Sequence, residues 1–280
     1  MKTFSGFNCG TAESLILDAG VFFKNYDVQK DTYDTAMAAG KGLGATRGGG
    51  TFTATPTTRN LEVDGVKTVG RGMIRFDSWA VTMLANLLEV TAKTFRDALG
   101  AASLTPSADG KYDIIRAKNY VENTDYIDNI TWMGTVTGSP DEPVIIQIYS
   151  ALSTSGLSMS MTDKAEAVLA VTFTATQDIC GGSQSLDLAP FAIFYPKLVP
   201  SPRVNIVTST ATAITGIGVS GAEIIVEGGT IPADTKDIVS ASMAFSVAIP
   251  AQADGTEITV VQRVGGRLSV PVVVTVKGAE

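Results

Sequence analysis

The sequence predicts a mainly β chain in two domains: a long-stranded β domain with one flanking α-helix, then a small β-sandwich. Three observations carry this. Apolar residues alternate with threonine in strand-length runs, short β-branched runs lie between turn residues over 201–280, and a proline cluster separates the two parts.

In the first part, Phe52 and Ala54 alternate with Thr51, Thr53 and Thr55. Later, Leu169, Val171, Phe173 and Ala175 alternate with Ala170, Thr172, Thr174 and Thr176. Successive side chains on a strand turn to opposite faces, so each run offers an apolar face to a core and a threonine-rich face to water or a partner. The run over 126–133 reads as a further strand with Ile130 and Trp132 on its buried side. One helix is expected over 92–99: Thr91 supplies a capping oxygen, Phe95 and Leu99 stand four apart on one face, and Gly100 ends it.

Over 31–50 the pattern fails. Gly40, Gly42, Gly44, Gly48, Gly49 and Gly50 fall within eleven residues and no periodicity survives, so the segment reads as a glycine-rich arm that folds on assembly. Pro196, Pro200 and Pro202 then fix the backbone after the apolar run 191–194, marking a stiff linker at 199–203 between a domain at 1–198 and one at 204–280. Beyond it, β-like runs are expected at 209–215, 222–227, 240–249, 256–264 and 267–277. In the third, Met243, Phe245 and Val247 alternate with Ala244, Ser246 and Ala248, and Pro250 and Asp254-Gly255 mark the turn that follows. Regular short strands of this kind suggest a sandwich of immunoglobulin type.

Composition narrows the function. Apolar residues make up 45% and charged residues 18% of the 280, and histidine is absent. Without histidine there is no Ser-His-Asp or Cys-His constellation, no histidine metal site and no default general base. The reading is therefore not an enzyme, with no catalytic, cofactor-binding or metal-binding residue nominated and no cofactor expected. The carboxylates Asp125 and Asp128, and Asp141 and Glu142, read as solvated faces. Cys9 and Cys180 are far apart, lack a CxxC partner and read as two thiols. Residues 1–200 carry 16 Lys and Arg against 21 Asp and Glu, a net of −5, and 201–280 carry 5 against 7, a net of −2. Neither has the basic footprint of a nucleic-acid binder. No window approaches the run of about 20 apolar residues that spans a bilayer, and no apolar signal core follows Met1-Lys2-Thr3, so the protein reads as made and kept in the cytosol.

Three motif matches fall to their local context. Gly216-Ile217-Gly218-Val219-Ser220-Gly221 spells GxGxxG, but the β-branched run 222–227 follows where phosphate binding requires a helix N-terminus. Gly40-Lys41-Gly42-Leu43-Gly44 lacks the closing Gly-Lys-Ser/Thr of a phosphate loop. Asn129-Ile130-Thr131 is a glycosylation sequon without a secretory signal.

The first domain also carries a resemblance, in segments that share their order along the chain. They are 17–25 (LDAGVFFKN), 44–52 (GATRGGGTF), 64–66 (DGV), 77–82 (DSWAVT), 88–91 (LEVT), 98–101 (ALGA), 126–132 (YIDNITW) and 190–196 (PFAIFYP). Together they resemble the major tail tube proteins of siphophages and prophages of Gram-positive bacteria. The run 213–222 is similar to bacterial immunoglobulin-like repeats appended to phage tail proteins.

The resemblance implies a β-sandwich or split barrel with a flanking helix, and hexameric rings stacked into a tube through which double-stranded DNA passes without specific binding. It implies partners among the other tail proteins (terminator, tape measure, baseplate), contact with host-surface glycans through the immunoglobulin-like domain, and a place in the virion tail after synthesis in the host cytoplasm. Contacts between rings are then assigned to Gly40, Gly42, Gly44, Arg47, Gly48, Gly49, Gly50, Arg59, Arg71 and Arg75. The bore wall is sought on polar faces near 126–137 and 166–176. Two other readings stand beside it: a secreted or surface immunoglobulin-like module for carbohydrate binding, and the tube of a phage-derived bacteriocin or gene transfer particle.

Overall fold

The structure is a computed structural model that describes Gly6 and residues 11–161, 163–178 and 187–279, with backbone only at 140 and 141. Cys9 and Cys180 lie outside the described residues, as does the side chain of Asp141. The chain is mainly β, with several antiparallel sheets, and is consistent with the β-sandwich class. It forms two compact units: a central one of 19–134 and 145–194, and a terminal one of 1–18, 135–144 and 195–280.

The elements before residue 195 are β1 (Ile16–Lys24), α1 (Tyr33–Ala38), β2 (Thr46–Asn60), β3 (Ile74–Leu87), α2 (Ala92–Leu99), β4 (Ala102–Pro106), β5 (Asp113–Ala117), β6 (Ile127–Val136), β7 (Ser139–Ser153), β8 (Ser158–Ser160), β9 (Val168–Thr174) and β10 (Phe191–Phe194). One sheet runs β1-β6-β7-β9-β3-β2, with β10 also paired to β7 and β8 to β9; β4 and β5 form a separate hairpin.

Alternation decides what is buried. On β3, Val81, Met83, Ala85 and Leu87 face inward, and on β9 Leu169, Val171 and Phe173 do the same, each at most 1% exposed. Phe22, Ile130, Ile148 and Ala98 of α2 complete this core. Phe22 and Phe23 are consecutive on β1 and point to opposite faces, yet both are buried, because a second small cluster with Tyr26, Ala36, Met133 and Ile145 covers the other side. Of the two residues expected on the buried side of β6, Ile130 is fully buried and Trp132 half-buried, its indole Nε1 donating to Ala19 O at 2.9 Å.

The α2 helix occupies 92–99 as expected. Thr91 Oγ1 accepts from the Thr94 amide at 3.2 Å, Thr94 Oγ1 accepts from the Thr91 amide at 2.6 Å, and Gly100 ends the helix at φ 73°.

The segment 31–50 differs from its sequence reading, for it has structure within the subunit. Thr32 caps α1 with the same reciprocal pair, to Thr35. Phe23 then bridges Gly42, the Leu43 amide donates to Phe22 O at 2.9 Å, and Leu43 enters the core at 2% exposure before β2 begins at Thr46. A six-residue helix is too short to show a period, and the glycines around it serve turns and close approaches. A Cβ at Gly50, for example, would overlap Leu84 O and the Phe22 ring.

The terminal unit contains β11 (Arg203–Val204), β12 (Ala213–Ile217), β13 (Glu223–Glu227), β14 (Lys236–Ile238), β15 (Ala244–Ala248), β16 (Glu257–Val264), β17 (Arg267–Leu268) and β18 (Val272–Thr275). One sheet is β11-β12-β15; the other is β14-β13-β16-β17 with β18 on β16. Ile214, Phe245 and Val247 from the first share one core with Ile224, Val226, Ile258 and Val260 from the second. Gly216 lies on β12 and 218–221 form the connection to β13, so the GxGxxG stretch is a strand-to-strand turn.

The proline stretch is packed within this unit. Val199 is buried, Ser201 Oγ donates to Val270 O at 3.1 Å, and the buried Gln262 side chain donates to Pro200 O while accepting the Val219 amide at 3.0 Å.

Both tryptophans lie in the central unit, so their fluorescence reports that unit alone. In urea titrations followed this way, Phe173→Ala is expected to cost about 3–5 kcal/mol and Thr91→Ala about 1 kcal/mol. A Phe173→Ala loss no larger than that of Thr91→Ala would contradict the placement of the core.

Candidate assembly surface

The ten residues assigned to ring contacts fall into two groups at opposite ends of β2. Gly40, Gly42 and Gly44 lie between α1 and β2, and Gly48 and Gly49 form a register shift between Thr46 and Gly50, both at positive φ. Arg47 pairs with Glu166 at that end. Arg59, Arg71 and Arg75 are nine or more residues further along the hairpin, on the order of 30 Å at about 3.3 Å per residue. There Arg59 Nε contacts Asp77 at 2.9 Å and Arg75 donates to Gly72 O at 3.0 Å.

The hairpin that joins these groups is the more informative feature. β2 and β3 are 15 and 14 residues long, but β9, which pairs with β3, spans only 7 and covers only the end at 82–87. Past that cover the two strands continue together to Asn60 and Ile74. A bulge makes Asp77 the extra residue, since Thr57 pairs Ser78 and Thr58 pairs Phe76. It resets the alternation, so Phe76 and Trp79 stack on one face with centroids 5.6 Å apart, although they are three residues apart in sequence.

Trp79 in turn meets Phe191 of β10 at 5.8 Å, and Phe191 meets Phe52 at 5.4 Å. This aromatic stripe leaves the core half-buried at Phe52 and ends 63% exposed at Phe76. Val63, Val66 and Val69 in the connection, and Ile74, are about half exposed as well. Sequence reasoning missed this stripe.

The opposite face of the same strands is polar and regular. Thr53, Thr82 and Thr174 align across β2, β3 and β9, and Thr51, Leu84 and Thr172 form the next row.

Ion pairs hold the neighbouring segment in place. Asp31 accepts the Asp27 amide at 2.8 Å and pairs with Lys41, while Tyr26 Oη donates to Asp31 O at 2.8 Å. The Asp27 amide first, then the Lys41 ammonium, hold the Asp31 carboxyl below its usual range. Beside α2, a cavity of about 220 Å³ is lined by Lys24, Arg96, Asp97 and Asp125. Its charges are matched: Asp97 binds Lys24 at 2.7 Å and Arg96 at 2.6 Å, and Asp125 binds Lys118 at 2.7 Å. Among the described residues no three His, Cys, Asp or Glu side chains gather as a metal site would require. In 201–280 the sole aromatic, Phe245, is buried, so no exposed ring platform stands there.

The chain matches no family model and no curated protein.

A carboxyl with a depressed folded pKa contributes stability that is complete above its unfolded value, about 3.9 for Asp, and is lost as pH falls through the folded value. The segment 27–41 is therefore expected to loosen below about pH 4, read as falling hydrogen-exchange protection of the Ala36 and Ala39 amides, which bond Thr32 O and Thr35 O. Asp31→Asn should weaken that protection at neutral pH and flatten its pH dependence. A variant with unchanged protection across the range would rule out a role for the Asp31 carboxylate in holding the segment.

Proposed function

We propose that the chain is the structural subunit of a siphophage or prophage tail tube, copies closing into hexameric rings that stack into a hollow tube for double-stranded DNA. The observation that carries this reading is the β2–β3 hairpin, whose apolar stripe continues from the core of the central unit to exposed Phe76. An isolated two-stranded hairpin is marginal in water, and an exposed apolar patch on an extended arm marks an interaction site. Each such side chain contributes on the order of 1.5–3 kcal/mol when a neighbour buries it, before the costs of association.

An open edge supports the same reading. β1 and β2 end the sheet order; the 22–24 end of β1 is bonded by 41–43, whereas β2 is long, with Pro56 mid-strand where an edge tolerates it. An unpaired edge of this length invites another chain, and closure into a ring removes it. Head-to-tail stacking of rings is a heterologous contact that propagates. In this reading the central unit is the sandwich or split barrel of the tube, the terminal sandwich is an immunoglobulin-like decoration, and the hairpin reaches the next ring. The ordered segment around α1, with Arg47 at its edge, supports the base of that hairpin.

Negative-stain microscopy of the concentrated protein tests the proposal: tubes or annular particles are expected, and material that stays monomeric under all conditions would overturn it. Phe76→Asp combined with Val66→Asp should leave the urea midpoint within the range of a surface change, about 0.5 kcal/mol, and abolish tubes. Normal tubes from that variant would remove the hairpin from the interface.

A further inference from the structure

The face of β2, β3, β9 and β8 that turns away from the core carries no charged side chain among the described residues between the Arg59–Asp77 pair at one end and the Arg47–Glu166 pair at the other. Its rows are Thr53–Thr82–Thr174, Thr51–Leu84–Thr172 and Asn86–Ala170–Ser158. Surfaces designed for solubility carry about 25–35% charged residues and the chain as a whole is 18% charged, whereas these rows carry none.

Thr51, Thr53 and Ser158 on this face are exposed, and Thr82, Leu84, Asn86, Ala170, Thr172 and Thr174 are half-buried. The β1 side of the sheet is covered on both faces by the two apolar clusters, and β6 is buried at Ile130, Thr131, Met133 and Gly134. Near 126–137 the exposed side chains include the carboxylate of Asp128, whereas the stretch near 166–176 contributes Thr172 and Thr174 to the uncharged face.

Resting on the tube reading above, we infer that this threonine-paved face is the wall of the bore and that its partner is a polyanionic duplex, which slides past without being held. Each phosphate neutralised by Lys or Arg adds salt-dependent affinity, and a carboxylate lining repels the same cargo; an uncharged surface of mostly hydroxyl side chains, with Leu84 and Ala170 among them, does neither. Threonine hydroxyls keep their hydration, so the face does not attract another apolar surface. Thr154 and Thr174, with Oγ atoms 2.7 Å apart, show that neighbouring hydroxyls also satisfy one another.

Single cysteines at Thr53 and Thr174, in a Cys9→Ser/Cys180→Ser background, test the assignment in assembled tubes. Both positions are expected to react with a small maleimide and not with a polyethylene-glycol maleimide too bulky to enter the bore, while unassembled subunits react with both. Failure to form tubes strikes the tube reading itself. Tubes whose cysteines react with both reagents place the face outside, and tubes that react with neither place it between subunits; either result overturns the inference. As a second arm, Thr53→Lys/Thr82→Lys/Thr174→Lys tubes should retain labelled duplex DNA that wild-type tubes release, with log affinity falling by about 0.9 per phosphate neutralised for each unit of log salt. Equal release from both kinds of tube would overturn it as well.

Discussion

A strand must give both of its faces an environment, and in the central unit that requirement is met over only part of the length of β3. Val81, Met83, Ala85 and Leu87 are at most 1% exposed because β9 and α2 close over them. The same alternation continues to Trp79, which meets Phe191, and, through the bulge at Asp77, to Phe76, which is 63% exposed. The sheet therefore converts a local period of two into a core at one end and an adhesive stripe at the other. Every other feature of the unit arranges itself around that division. α2 caps the covered end, the segment around α1 backs β1, and Gly50 lets β2 approach Leu84 and Phe22.

The terminal unit solves its burial problem internally. Two small sheets share a core of Ile, Val and Phe245, and the buried Gln262 is tolerated because both ends of its amide are bonded, the oxygen to the Val219 N–H and the nitrogen to Pro200 O. That bond makes the proline stretch part of the unit's framework. Losing it would leave a buried amide with an unmet donor, a cost of about 1–3 kcal/mol.

What the sequence reveals follows how local the governing physics is. The inward set from Leu169 to Ala175 and the Thr91-capped helix are legible because alternation and capping act over a few residues. The α1 helix carries a matching cue, since Thr32 and Thr35 have the same spacing as Thr91 and Thr94, but the glycines after it mask the signal. Phe76 and Trp79 escape a period-two reading because the bulge between them is a property of pairing with β2. The fastening of 199–203 depends on Gln262, some 60 residues away, so in sequence the prolines read only as a linker. Of the candidate site, Arg47, Arg59 and Arg75 are legible as charges near the hairpin ends, whereas the stripe itself depends on where the core stops.

The two faces of the β2–β3 hairpin pose opposite chemical demands. In the proposed tube one face must adhere to a neighbouring copy, while the other must touch a polyanion without adhering to anything. Threonine meets the second demand under the additional constraint that the strand remain a strand. Serine would give up β-branching and weaken the pleated backbone. Valine would keep the backbone but create a second apolar face on a two-sided hairpin, and with it a route to uncontrolled stacking. Lysine would remain soluble and bind phosphate. A β-branched hydroxyl residue alone satisfies all three conditions at once, which gives a physical reason for threonine at 51, 53 and 55 opposite the aromatic and apolar residues at 52, 76 and 79.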